Sequence, residues 1–299
     1  MGIFANPLTD LLEYEDFSRD FLKGTDPVGM TGCIDSEKVH FMSTFLGEKK
    51  VQLVVTYNEQ RAREIEEDYK LFCSQVYVIP PRDLIFFSAD LQGNAIIAER
   101  MKAFAALYQN EAKVIITTID ALMSAAVPFE QLMSHVIKLK EGDELDLEKL
   151  KHDLTVMGYE RVGRVEEPGQ FTVHGGIADV YPLTMEVPVR IELWGDEIDT
   201  IRCFEPQSQR SMDQIECVSV FPAAEVIADD TARRRAVGMI QNELESQLAV
   251  FKKAKEPDKA KRLREETNRI LEALGEDVVL EAPDSYISYF YPRTVQLSE

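Results

Sequence analysis

The sequence is short of several things, and each shortage closes a functional class. It has only four cysteines in 299 residues, Cys33, Cys73, Cys203 and Cys217. They form no CxxC pair, so neither a zinc site nor the disulfide framework of a small secreted domain is expected; reduced, mostly buried thiols are. The four histidines, His40, His135, His152 and His174, show no ligand spacing such as HExxH. There is no GxSxG, no Ser/His/Asp signature and no setting that would activate a cysteine. No catalytic residue and no metal ligand is therefore expected. No segment approaches the ~20 apolar residues that a membrane span requires. The N-terminal MGIFANPLTDLLEYEDF carries acids where a signal peptide carries bases. A cytoplasmic chain without membrane contact is the expectation. Basic side chains are also few, 33 against 53 acidic ones, for a net charge of −20. Such a surface repels phosphate backbones, which argues against tight DNA binding by the chain as a whole.

Apolar residues are plentiful, at 45%, enough for two or three domains with real cores. An amphipathic helix is predicted over residues 7–22. Apolar strands are predicted at Val51–Tyr57, Gln75–Ile79 and Lys113–Ile119. They alternate with helices at Ser36–Leu46, Asn58–Phe72 and Asn94–Tyr108. That alternation means βαβ units and a parallel sheet covered on both faces. The pattern changes near Pro128. A strand at residues 134–139 and a helix at Asp146–Met157 precede short strands at Glu160–Val165, Gln170–Val173, Ile177–Tyr181, Val187–Trp194, Glu197–Cys203 and Ile215–Phe221. These read as a mainly antiparallel α+β domain. From Asp229 or Asp230, either of which could cap a helix, two helices follow, broken at Pro257.

The segment Gly29-Met30-Thr31-Gly32-Cys33-Ile34-Asp35-Ser36 lies where a phosphate-binding loop would lie, after a candidate strand at Pro27-Val28 and before a helix. A working loop reads GxxxxGK[ST]. Here Ile34 stands at the second glycine position and Asp35 at the lysine position, so a carboxylate would face a triphosphate. An inert turn with Ser36 as helix N-cap fits better. Trp194-Gly195-Asp196-Glu197 superficially resembles a magnesium-binding acidic box, but it follows an alternating strand and reads as a hairpin turn. Asp179, Glu192 and Asp196 read as charged solvent faces. The basic residues Arg233-Arg234-Arg235, Lys252-Lys253, Lys259, Lys261, Arg262 and Arg264 alternate with acids and read as an ion-paired helical surface. The stretch from Gly158 to Pro182 places Arg161, Arg164, an exposed-looking aromatic and a glycine turn on short strands. Arginine and aromatic side chains are enriched at interface hot spots.

Three blocks in order, GYERVGRVEEPGQFTVHGGIADVYP, VPVRIELWGDEIDTIRCFEPQSQRS and VSVFPAAE, resemble the N-terminal, UvrB-like region of the bacterial transcription-repair coupling factors. VTYNEQRAREIEEDY, PPRDLIFF and SYISYFYP support the resemblance, which covers nearly the whole chain. It implies an α/β fold: a degenerate P-loop NTPase-like parallel-sheet domain interrupted by an inserted α+β domain and closing with helices. Residues 1–127 would be domain 1a, 128–219 the inserted domain 2 and 220–299 the helical domain 1b. It implies that Gly29, Thr31, Gly32, Ile34, Asp35 and Ser36 form a loop that holds no nucleotide, since UvrB has GVTGSGKT there. No cofactor is expected, because ATP and magnesium serve a translocase motor that lies C-terminal to this region in the family. The implied partner is UvrA, contacted through Arg161, Arg164, Phe171, Thr172, His174, Gly175 and Tyr181. His174 stands where relatives usually have arginine, and Thr172 replaces another basic position. RNA polymerase and DNA would be met through the family's C-terminal domains, and an intramolecular contact with the motor is a further candidate. Two rival functions remain: an active UvrB-type ATP-dependent helicase subunit and a DNA-binding module built on the late basic helices.

Overall fold

The computed structural model describes residues 8, 14–25, 27–47, 51–82, 91–227, 229–275 and 286–298. They divide into two compact units, residues 1–81 with 106–122, and residues 82–105 with 123–299.

In the first unit, α1 (Tyr14–Lys23) and α2 (Asp35–Ser43) are joined by rings. Phe17 meets Phe41 edge-on at 4.6 Å between centroids, and Tyr14 meets Phe41 at 5.4 Å. Edge-to-face geometry sets the positive ring edge against a negative ring face. Then come β1 (Gln52–Thr56), α3 (Glu59–Lys70) and β2 (Val76–Ile79). α4 (Leu91–Tyr108) brings the chain back into this unit, and β3 (Val114–Thr118) follows. The three strands form a parallel sheet in the order β1-β3-β2. The central strand is buried along its whole length, as a strand flanked on both sides must be. Its Val114 and Ile116 pack with Val39, Ala62, Ile65 and Tyr69 from the helices. Asn58 caps α3 by accepting from the Arg61 amide at 2.8 Å. The predicted βαβ alternation is therefore the observed one, and the fold is mixed α/β with a parallel sheet.

After α5 (Ile119–Met123), the second unit contains β4 (Ala125–Ala126), α6 (Phe129–Met133), β5 (Ile137–Lys140) and α7 (Leu147–Val156). Asp146 caps α7, accepting from the amides of Glu148 and Lys149. Six strands follow: β6 (Glu160–Arg161), β7 (Gln170–His174), β8 (Ile177–Val180), β9 (Val189–Trp194), β10 (Glu197–Phe204) and β11 (Ser211–Gln214). They form one sheet in sequence order, antiparallel except where β6 runs parallel to β7. β12 (Cys217–Val220) leaves that sheet and pairs with β5. Two predictions need correcting here. The strand predicted over Glu160–Val165 stops at Arg161, because Val165 turns inward against Tyr181 and Phe204 while its carbonyl accepts from Gln209. β11 was not predicted, because all four of its residues are exposed and show no apolar alternation.

The helical end consists of α8 (Asp230–Ala254), α9 (Pro257–Gly275) and α10 (Ile287–Phe290), and β13 (Val295–Gln296) returns to pair with β4. Asp229 is the cap of α8, and Lys255 closes that helix at φ 56°. The last residues before α8 enter the core. Glu225 is buried and accepts from both Arg82 and Arg100, the latter fully buried, with Arg100 Nη2 at 3.1 Å. Its pKa is lowered: burial alone would raise it, and the two guanidiniums overcome that effect.

The thiols are free, as expected, but Cys33, Cys73 and Cys203 are only half-buried and Cys217 is exposed. Cys73 and Cys203 pack against the edges of the two cores, while Cys33 lies in the 29–36 loop and Cys217 opens β12. No helix among the described residues is long and apolar enough to cross a membrane.

Candidate functional site

The two faces of the six-stranded sheet differ, because successive side chains on a strand point to opposite sides. One face carries Phe171, Val173, Ala178, Val180, Val189, Ile191 and Ile201, packed with Leu150 and Leu154 of α7. The other carries registered rows across β7 to β10. Thr172 pairs with Asp179, Asp179 with Arg190, and Arg190 with Arg202. One step along, His174 pairs with Ile177, Ile177 with Glu192, and Glu192 with Thr200.

This second face is covered at one end and open at the other. At the covered end, Val165 of the 162–169 loop packs on Tyr181 and Phe204. In the middle, Arg190 holds Asp179 through two hydrogen bonds of 2.7 Å and lies 4.8 Å over the Phe204 ring. Such a bidentate pair satisfies both charges. Asp179 is thus buried and paired, which corrects its reading as a solvent-facing carboxylate. At the open end lie His174, Ile177 and Trp194, all exposed. Thr172 is 6% exposed, and its hydroxyl lies 2.9 Å from His174 Nε2.

The seven predicted contact residues do not form one surface. Arg161 is exposed on edge strand β6. It is registered with Phe171, on the side opposite Thr172 and His174. Arg164 is exposed but tied down, at 3.2 Å from Glu166 and donating to the Gln207 carbonyl. Phe171, expected as an exposed aromatic, is 0% exposed and belongs to the core. Tyr181 is also buried, and its hydroxyl donates to the Glu186 carbonyl at 2.7 Å. Gly175 is exposed at φ +60°, where a side chain is disfavoured. Trp194 is the exposed residue that the sequence reading assigned to a plain hairpin turn. Its pairing with Glu197 around Gly195-Asp196 bears the hairpin out; its exposure was not anticipated. The only available signal was that it follows Leu193 at a strand end.

The loop at 29–36 has a different local architecture from the one predicted. The Pro27-Val28 segment is not a strand and pairs with none among the described residues. Ile34, not Ser36, is the N-cap of α2, and the Glu37 carboxylate accepts from the Ile34 amide at 3.0 Å. The cap thus lies two residues, and the helix start one residue, earlier than predicted, because the Glu37 carboxylate satisfies the Ile34 amide there. Asp35 lies 3.0 Å from Lys38 Nζ and 3.6 Å from Arg61. Its pKa is lowered by the hydrogen bond from Lys38 and the charge of Arg61. Gly29, Thr31, Gly32, Ile34, Asp35 and Ser36 are all exposed.

On the late helices the ion pairing expected from alternating acids is partial. Lys259 meets Glu256 at 2.9 Å and Lys261 meets Glu265 at 3.9 Å, while Lys252, Lys253, Arg262 and Arg264 make no ion pair among the described residues. Among the described residues, no group of three or more His, Cys, Asp or Glu side chains is placed to hold a metal.

A parallel α/β unit, followed by an antiparallel sheet with one packed and one partly open face, defines the class of protein. The second part is recognisable by family. Residues 137–225 match the UvrB interaction domain. The chain is 33% identical to the transcription-repair-coupling factor of Staphylococcus haemolyticus over 76% of its length and 19% of the relative's. It is 29% identical to that of Bacillus subtilis over 98% of its length and 25% of the relative's. It is 31% identical to that of Staphylococcus epidermidis over 81% of its length and 20% of the relative's. The chain is thus a homologue of the N-terminal, UvrB-like region of transcription-repair-coupling factors, and spans about a fifth to a quarter of the length of these relatives.

Proposed function

We propose that this chain is a docking module that recruits UvrA, through the domain at 137–225, to transcription complexes stalled at damage. The observation that supports it most is Arg161. It is exposed on the edge strand of the matched domain and makes no ion pair among the described residues. Within the matched domain, Arg164 and Arg190 are neutralised by carboxylates, as are Arg19, Arg61, Arg63, Arg82 and Arg100 elsewhere. An unpaired guanidinium on a rigid strand suits an acidic partner side chain, to which it donates charge-assisted hydrogen bonds. His174 and Gly175 would extend the contact from the open face. Phe171, Thr172 and Tyr181 then act by shaping the strands rather than by touching the partner.

This reading includes a degenerate P-loop fold for residues 1–127, a docking domain at 128–219 and a helical domain at 220–299. The chain would have no ATPase activity of its own and would act in the cytoplasm. RNA polymerase, DNA and an intramolecular motor contact would involve other parts of a longer protein.

The test measures UvrA affinity beside melting curves. Arg161→Ala should weaken binding with unchanged melting, by about 2–5 kcal/mol if the contact is desolvated and far less at a rim. His174→Arg should strengthen it, since arginine offers five donors where histidine offers at most two. Unchanged affinity for both variants would move the docking site elsewhere.

A further inference from the structure

Trp194 is the only tryptophan of the chain. It is 85% exposed, more than any other large apolar side chain among the described residues. Single exposed apolar residues are ordinary on protein surfaces. Three observations make this one different.

The first is its support. On one side of the tip, Leu193 donates to the Gly176 carbonyl at 2.8 Å, joining the β9 end to the β7–β8 turn. On the other, Leu145 donates to the Asp196 carbonyl at 2.8 Å, and Glu144 bridges Glu197. Gly195 makes the turn at φ +67°. An indole held out on a braced hairpin loses little conformational freedom when a partner covers it.

The second is its place. Glu192 and Trp194 alternate onto the same side of β9, and Glu192 is in register with Ile177, which is in register with His174. Trp194 therefore stands on the same face as His174 and the 39%-exposed Ile177. All three lie inside the matched domain.

The third is its charge. Asp196 and Glu197 form the turn, Glu144 is bridged to it, and Glu192 lies one pleat away. None of these carboxylates forms an ion pair among the described residues; Glu192 accepts from the Thr200 hydroxyl, at 3.2 Å, and feels the charge of Arg190 next to it on the strand. An indole face beside the Asp196, Glu197 and Glu144 carboxylates attracts a cation, through the ring quadrupole at short range and through the acids at longer range.

We propose that Trp194 is an anchor of the docking surface and receives an arginine or lysine side chain of the docked protein. The proposal rests on the reading of UvrA as that protein. This contact is separate from that of Arg161, which lies on the other side of the sheet.

The experiment uses the whole chain and purified UvrA. Trp194→Ala should lower the affinity by about tenfold or more, as truncating a hot-spot aromatic does, with unchanged melting. Trp194→Phe should retain most of the affinity, whereas Trp194→Leu should fall with the alanine variant, because leucine keeps apolar area but has no ring face. Because the chain has one tryptophan, 5-fluorotryptophan gives a single ¹⁹F signal, which should shift when UvrA binds. Wild-type affinity for Trp194→Ala, or an unmoved ¹⁹F signal on a saturated complex, overturns the anchor. Full rescue by leucine overturns the cation. In each case a loss of affinity in Arg161→Ala would leave the docking reading standing. If wild-type chain and UvrA do not associate at all, the docking reading fails, and the anchor fails with it.

Discussion

Glu225 shows how much one side chain can carry. It is a buried carboxylate between Arg82 and Arg100, residues far from it in sequence, and Arg82 also donates to the Ala125 carbonyl at 3.0 Å. The cluster therefore joins the segments at 82, 100, 125 and 225. Glu225→Gln keeps the shape and removes the buried charge that both guanidiniums meet. Breaking a buried ion network from one side costs about 3–5 kcal/mol, and chemical denaturation should show a loss of that order. The sign of the pH effect follows from the lowered pKa. The ionised group is favoured in the folded state, so its contribution is fully present above the ordinary carboxylate range and disappears as pH falls through the folded value. Wild-type stability should accordingly fall more steeply than that of Glu225→Gln on the acid side, and parallel acid limbs would contradict this account.

At the scale of elements, the turn between α7 and β6 decides where Arg161 lies. Gly158 sits there at φ +90°, and a Cβ added to it would come 2.7 Å from Ala224 Cβ and 3.2 Å from the Ala224 amide. Gly158→Ala meets both a disfavoured backbone region and a backbone neighbour that cannot swing away. Overpacking and strain of this kind cost about 1–3 kcal/mol each. Gly175→Ala is the control: its φ is +60°, but nothing lies within 4 Å of an added Cβ. Thermal melting should show a clearly larger loss for Gly158→Ala than for Gly175→Ala, and Gly158→Ala should also weaken UvrA binding by displacing β6. Equal losses would mean that the close approach of Ala224 is relieved at no cost. The faces of these elements were only partly legible from sequence. The α7 cap at Asp146 and the Gly195-Asp196 turn follow from local chemistry alone. Phe171 could not be separated from an exposed aromatic, because alternation marks two faces of a strand without saying which one packs.

For the molecule as a whole, net charge and loop chemistry lead to one expectation about ligands. With a net charge of −20, and Asp35 held by Lys38 and Arg61 at the lysine position of the loop, a triphosphate would meet a carboxylate and an isoleucine. Isothermal titration with magnesium-ATP at millimolar concentration should give no binding heat. Duplex DNA should bind weakly if at all, with an affinity that falls steeply with salt. Magnesium-dependent ATP binding, or sub-micromolar duplex affinity at physiological salt, would favour a helicase subunit over a docking module.

The sequence by itself determined what depends on neighbours in the chain. It carried the strand–helix alternation of the first unit, the change to short strands after Pro128, a cap at Asp229 or Asp230 and the hairpin at Gly195, because propensity, capping and turn geometry act over a few residues. It also carried the three blocks by which the family is recognised. Only the tertiary structure decided which residues are buried and which are free. It buried Phe171, tied Arg164 to Glu166 and the Gln207 carbonyl, paired Asp179 with Arg190, joined Glu225 to arginines more than a hundred residues away, and left Arg161 and Trp194 to solvent. Those outcomes depend on which strands lie side by side and which face of the sheet receives α7. They are set by packing between distant segments, for which a single chain of letters holds no local signal.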